Sequence, residues 1–140
     1  YGLEVYKIVE EVQGRHLQKK WANIAKREGS NRIEDLIRLL WEPLRAEGLE
    51  YEVIEMPDGI KMRCTKCPAC NIARELGTTT WAYHLICSND PYIVEGFNPR
   101  IGFRRTKTLM EGFDCCDHFY YIKPAAEDSS GEKITGSESF

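Results

Sequence analysis

The chain has 140 residues, 42% of them hydrophobic, with seven Tyr, five Phe and three Trp, which is the usage of one domain with an apolar core. A net charge of -3 with interspersed acids and bases leaves no basic footprint for DNA or RNA, so nucleic acid is not an expected partner. No apolar run approaches the roughly 20 residues of a membrane span, so no membrane partner is expected either.

The opening stretch YGLEVYKIVEEVQG lacks the basic, apolar, small-residue layout of a secretory signal, and a soluble cytoplasmic protein is expected. Because the chain starts at Tyr1 rather than Met, we expect residues to precede it. Val5, Ile8, Val9, Val12, Leu17, Trp21 and Ile24 recur at spacings of three and four, which predicts an amphipathic helix loosened at Gly14. His16, among Arg15, Lys19 and Lys20, is expected in solvent. Asn31 with Glu34 three positions on forms an approximate capping box, and Ile33, Leu36, Ile37, Leu40, Trp41 and Leu44 continue as a second helix ending near Pro43 to Gly48.

The period then changes. Leu49, Tyr51 and Val53 alternate, Pro57-Asp58-Gly59 supplies a turn, and Ile60, Met62 and Cys64 alternate again, which predicts a β-hairpin. Pro68 suits the first turn of a helix that stops at Gly77. The segment TTTWAYHLICSNDPYIVEGFNP predicts another helix, kinked or broken at Pro91. Two antiparallel strands follow, at about 101–108 and 115–122, joined through Met110-Glu111-Gly112. In the second, Cys116, His118, Tyr120 and Ile122 share one face and Cys115, Asp117, Phe119 and Tyr121 the other. The expected fold is α+β: an antiparallel sheet of about four strands covered by helices, with a helical segment over 1–48 and an α/β core over 49–124 in a single domain. Residues 125–140, polar and rich in Gly and Ser, have the composition of a disordered tail.

Six cysteines in a chain without a signal layout point to thiols or metal ligands rather than to disulfides. Cys67, just ahead of Pro68, is placed as an N-cap residue facing free backbone N–H groups, an environment that makes thiols nucleophilic; the blander role is a capping and packing residue. Cys67-Pro68-Ala69-Cys70 has the form of a redox motif, yet an antiparallel hairpin precedes it where a parallel βαβ unit is the usual context. Cys64, Cys67 and Cys70 match the start of an iron–sulfur run, but Arg74 stands where the fourth Cys should fall. Zinc or an iron–sulfur cluster collected by Cys67, Cys87 and Cys116 remains the alternative to no cofactor. Cys116 and His118, together on one strand face, supply a nucleophile and base, two ligands, or only a core pair. Asp90 reads as a helix cap or an acid/base group, and His84 is a secondary candidate. Arg104 and Arg105 read as an edge in solvent or as carboxylate binders.

The ordered stretches CPACNIARELG and LICSNDPYIVEGFNPRIGFRRTKTLMEGFDCCDHFYY resemble the L-2-amino-thiazoline-4-carboxylic acid hydrolase family, best over residues 60–122. The resemblance falls on Cys67-Pro68, Cys87 with Asp90, Asn98-Pro99, Thr106 to Thr108, and Gly112 with Asp114 and Cys116. Phe113 and His118 depart from the pattern, where Asp and an aromatic residue are more usual. The resemblance implies a hydrolase that opens a cyclic amidine such as a 2-amino-thiazoline-4-carboxylate to an N-carbamoyl amino acid, classed by its carbon–nitrogen bond. On that reading Cys67 is the nucleophile or water-polarising thiolate, Cys116 its neighbour, Asp90 and His118 the acid/base groups, and Arg104 or Arg105 the substrate-carboxylate binder. The implied partner is a small-molecule substrate, with room for a homodimer. The alternative is a Cys-rich metal- or small-molecule-binding sensor domain, similar to the 4-vinyl reductase type, without catalysis.

Overall fold

The computed structural model describes residues 2–125; the tail expected over 125–140 lies outside them apart from Ala125. The architecture is α+β, with helices and a four-stranded antiparallel sheet whose strands, counted along the chain, lie side by side in the order first, second, fourth, third.

Helix α1 (Gly2–Glu28) has the predicted extent, but its buried stripe differs from the expected one. Leu17, Trp21 and Ile24 pack on the core, while Ile8 and Val12 are exposed. In the first half of α1 the inward positions carry polar groups: Gln13 donates from Nε2 to the Leu85 carbonyl at 3.0 Å and Glu10 pairs with His84. Gly14 does not loosen the helix. It makes room for Tyr92, whose ring would lie 2.4 Å from a Cβ at that position, and Gly96 likewise leaves only 2.2 Å between a Cβ and the Gln18 carbonyl oxygen. Helix α1 and the helix that carries Tyr92 and Gly96 therefore cross at a distance that only glycine permits. His16 is exposed, as expected.

Helix α2 (Ile33–Leu36) continues through a π-helical stretch, Ile37–Trp41, into α3 (Glu42–Ala46). The ladder widens just before Pro43, which has no N–H to offer the carbonyl four residues back, and Glu42 N–H bonds the Ile37 carbonyl five back. The cap sits one residue later than predicted: Asp35 accepts from the Arg32 N–H at 3.0 Å and from Ser30 Oγ at 2.5 Å. Those bonds, the Ser30 one foremost, hold its carboxyl down to about 2.

Strands β1 (Glu50–Met56) and β2 (Gly59–Lys66) form the predicted hairpin. β1 is the sheet edge; Tyr51 packs edge-on against Trp41, but Val53, which alternates with it, is exposed. Helix α4 (Pro68–Leu76) ends at Gly77 with φ 69°. The next predicted helix is two: α5 (Thr79–Leu85) and α6 (Asp90–Phe97), separated by a 3-10 turn over Cys87–Asn89. The break precedes Pro91 by one turn, because the proline ring excludes a helical carbonyl four residues before it, at Cys87.

Strand β3 (Ile101–Arg104) is shorter than the predicted 101–108, and β4 (Cys116–Ile122) starts one residue late. Beyond Arg104 the backbone leaves the ladder: the Asp117 carboxylate takes the N–H groups of Thr106 at 2.8 Å and Lys107 at 2.7 Å. A 3-10 turn over Leu109–Glu111 then leads back through Gly112 at φ 101°. In register, Met62 faces His118, Cys64 faces Cys116, and Phe103 faces Tyr120. The helix-facing side of the sheet joins Trp21, Leu36, Trp41 and Phe97 in one apolar cluster. Among the described residues no helix is long and apolar enough to cross a membrane.

Candidate active site

Strand alternation sets Cys116, His118 and Tyr120 of β4 on one face, as predicted, and packing turns that face toward the helices; Ile122, expected on the same face, is exposed at the end of the strand, and the register sets Cys64 of β2 opposite Cys116. Asp90 opens α6 and Cys87 opens the turn before it, both delivered by the break that Pro91 imposes. Arg105 lies one residue past β3 and Cys67 caps α4.

The His118 imidazole is 7% exposed, edge-on to Trp41 at 4.8 Å and tilted on Phe103 at 5.5 Å between ring centroids. Among the described residues its Nδ1 has no hydrogen-bond partner, while Asp90 Oδ2 lies 3.7 Å away. A buried polar nitrogen of this kind is costly unless something pairs with it. The same Asp90 oxygen pairs with Arg105 Nη1 at 2.5 Å, and Nη1 also reaches the Cys87 carbonyl at 3.1 Å. Burial pushes the Asp90 carboxyl up, and His118 and Arg105 pull against it. Burial also pushes the Cys87 thiol up, to about 12, with the Asp90 charge adding to it.

Cys116 behaves in the opposite way. Its thiol falls from an ordinary 9.0 to about 5, through its hydrogen bond with Cys64 first, then the neighbouring His118 and the Leu109 N–H, which donates to Sγ at 3.2 Å. Cys64 is 2% exposed and rises, because it serves Cys116 as donor and is buried. Of the two, Cys116 is the one that ionises, since it alone receives a backbone N–H while Cys64 Sγ sits 3.4 Å from the Lys66 carbonyl oxygen, an acceptor. The arrangement joins a thiolate, an imidazole and a carboxylate locked by an arginine, the parts of a nucleophilic or acid/base centre.

Cys67, Cys87, Asp90, Arg105, Cys116 and His118 therefore come into one neighbourhood, with Cys67 in electrostatic reach of Cys64, Cys70 and Cys87. Cys67 is the N-cap residue expected, but its side chain makes no capping hydrogen bond. Arg104 is not part of the group: it lies on the opposite face of the sheet, its guanidinium 4.5 Å from the Tyr121 ring centroid and 5.1 Å from that of Phe119. His84 is also separate, stacked on Tyr6 and paired with Glu10. All six cysteines are free thiols, Cys67 and Cys70 included. Among the described residues no three His, Cys, Asp or Glu side chains are grouped to hold a metal ion, so the set Cys67, Cys87 and Cys116 is not assembled as ligands.

Sequence reasoning named Cys64 but not its pairing with Cys116, and missed the Leu109 N–H, Trp41 and Phe103 as parts of the site. Only the strand register pairs Cys64 with Cys116, and no local signal carries that register.

A family model described as L-2-amino-thiazoline-4-carboxylic acid hydrolase matches residues 2–120, including the helical half that sequence motifs touched only loosely. No curated protein and no solved structure matches the chain.

Proposed function

The chain belongs to the L-2-amino-thiazoline-4-carboxylic acid hydrolase family, and from that premise we propose that it hydrolyses a cyclic amidine of the 2-amino-thiazoline-4-carboxylate type, with Cys116 as the nucleophile. The observation that carries this reading is the Cys116 sulfur receiving the Leu109 N–H at 3.2 Å, with the His118 imidazole beside it on the same strand face, surroundings that lower the pKa of the thiol. A thiolate is the attacking form of cysteine, and an amidine carbon between nitrogen and sulfur is an electrophile suited to it.

Cys116 Sγ adds to the ring carbon that carries the amino group. The ring carbon–sulfur bond then breaks, and the departing sulfur takes a proton from His118. What remains on Cys116 is an S-linked isothiourea. Water, giving its proton to His118, adds to the same carbon; Cys116 leaves and the carbon becomes the carbonyl of an N-carbamoyl amino acid with a free thiol. The ring carbon–nitrogen bond survives, so the bond broken in the ring is carbon–sulfur rather than the carbon–nitrogen bond by which such hydrolases are classed.

Asp90, held by Arg105, faces His118 Nδ1 and supports the orientation of the imidazole during each transfer. Arg105 is engaged with Asp90 and the Cys87 carbonyl, which supports a role in holding the carboxylate rather than in binding substrate. This assignment moves the nucleophile from Cys67 to Cys116, because Cys116 has the donors that stabilise a thiolate.

The test is incubation with 2-amino-thiazoline-4-carboxylate and related cyclic amidines, following release of the new thiol with a thiol reagent and the carbamoyl product by mass spectrometry. Cys116→Ala is expected to abolish turnover and Cys67→Ala to retain it. No turnover of any cyclic amidine overturns the proposed activity; loss in Cys67→Ala alone returns the nucleophile to Cys67.

A further inference from the structure

We propose that Cys116 and Cys64 form an oxidative modification site, in which a peroxide oxidises Cys116 and Cys64 closes onto it as a cross-strand disulfide between β4 and β2. The inference rests on the Cys116 thiolate of the reading above but not on any turnover.

The geometry comes from the sheet. The two residues are direct partners in the antiparallel register of β2 and β4. Residues directly opposite in such a pair have Cα atoms about 4.5–5.5 Å apart. A disulfide accepts Cα separations of about 4.4–6.8 Å, so the bridge needs side-chain rotation rather than strand movement. As directly opposed residues they project their side chains on the same side of the sheet.

The two thiols are also unequal in the way a reactive and a resolving cysteine must be. Cys116 is half-buried and its sulfur receives the Leu109 N–H. Cys64 is 2% exposed, protonated and shielded from an oxidant in solution. Peroxides react with thiolates, so Cys116 is oxidised first.

In the first step Cys116 Sγ attacks one peroxide oxygen: an S–O bond forms, the O–O bond breaks, sulfur is oxidised to sulfenic acid, and the reduced peroxide leaves as water or an alcohol after taking a proton. In the second, Cys64 sulfur attacks Cys116 sulfur. The S–S bond forms, the S–O bond breaks, and the Cys64 proton departs with the hydroxyl as water. The product removes the thiolate that the proposed hydrolysis uses, so peroxide would silence that activity until a dithiol restores it.

The test is peptide mapping of the intact chain after brief treatment with hydrogen peroxide and alkylation of the remaining thiols. Trypsin cuts after Arg63, Lys66 and Lys107, so Cys64 leaves on a peptide of its own, apart from Cys67 and Cys70, and Cys116 leaves on the peptide beginning at Thr108. The expected result is a species joining those two peptides, lighter by two hydrogens, with fragment ions placing the link on Cys116 rather than Cys115, and reversed by dithiothreitol. In Cys64→Ser, and in Cys64→Ala should the serine variant misfold, the bridge is lost and a sulfenic acid on Cys116 is captured by a dimedone probe. Wild-type protein whose linked species joins other cysteines, or whose Cys116 remains fully alkylated after peroxide, overturns the proposal. These readouts are masses, so a failed hydrolase assay leaves them unaffected, and an absent bridge leaves the hydrolase assay unaffected.

Discussion

The Trp41 indole N–H donates to the Tyr120 hydroxyl at 3.0 Å across 79 positions of chain, with Trp41 3% and Tyr120 1% exposed. This bond ties the helical segment to the strand that carries Cys116 and His118, and Trp41 also packs edge-on to the His118 ring.

Tyr120→Phe leaves that indole N–H buried and unpaired, which costs about 1–3 kcal/mol. The denaturant midpoint is expected to fall with an unchanged slope, and His118 resonances in NMR spectra to broaden as Trp41 loses its anchor. An unchanged midpoint would show that the bond contributes nothing net.

Arg105→Ala strands the Asp90 carboxylate without its cation and is expected to destabilise the protein by about 3 kcal/mol, while Asp90→Ala/Arg105→Ala loses less than the sum of the single variants. A double-mutant cycle in denaturant checks this, and additive losses would mean that the pair is not coupled.

Cys116 alkylation by iodoacetamide, followed site by site with mass spectrometry, is expected to have a midpoint near pH 5 rather than near the ordinary value of 9.0. Because the folded-state value is depressed, the ionisation stabilises the fold fully above about pH 9, and that contribution shrinks as pH falls toward 5. Cys64 moves the other way and offsets the gain above pH 9. A Cys116 midpoint between 8 and 9 would remove the thiolate from the mechanism.

Gly96→Ala places a methyl group 2.2 Å from the Gln18 carbonyl oxygen, backbone that cannot rotate away. Overpacking of this kind costs about 1–3 kcal/mol, and α1 should separate from α6 before the sheet unfolds. Faster amide hydrogen exchange in the second half of α1 is the expected signature; exchange spread evenly over the chain would contradict it.

The periodicities of the chain determined most of its elements. Three- and four-residue spacings marked α1 and the helix from Ile33, alternation marked the β1–β2 hairpin and the inward set Cys116, His118 and Tyr120, and Pro68 with Gly77 bounded α4. These signals are local, since they depend on side-chain direction within one element and on residues that lack an N–H or tolerate positive φ. The motifs also carried the family, together with Asp90 and Cys116.

What the sequence could not determine was which groups meet. Val53 alternates like a core residue yet lies on an edge strand, and the short β3 follows from an Asp117 carboxylate that takes the N–H groups a longer strand would have paired. Arg104 and Arg105 are neighbours in the chain, but Arg104 lies over the Tyr121 ring while Arg105, just past the strand, pairs with Asp90. Cys67, with the best local argument for a thiolate, has no capping bond, whereas Cys116 receives a donor from Leu109, an opposing thiol from β2 and an imidazole from its own strand. Strand register and packing alone bring those three together. The ionisation of a thiol depends on the donors and charges around it, so only the tertiary structure decided which cysteine is surrounded by them.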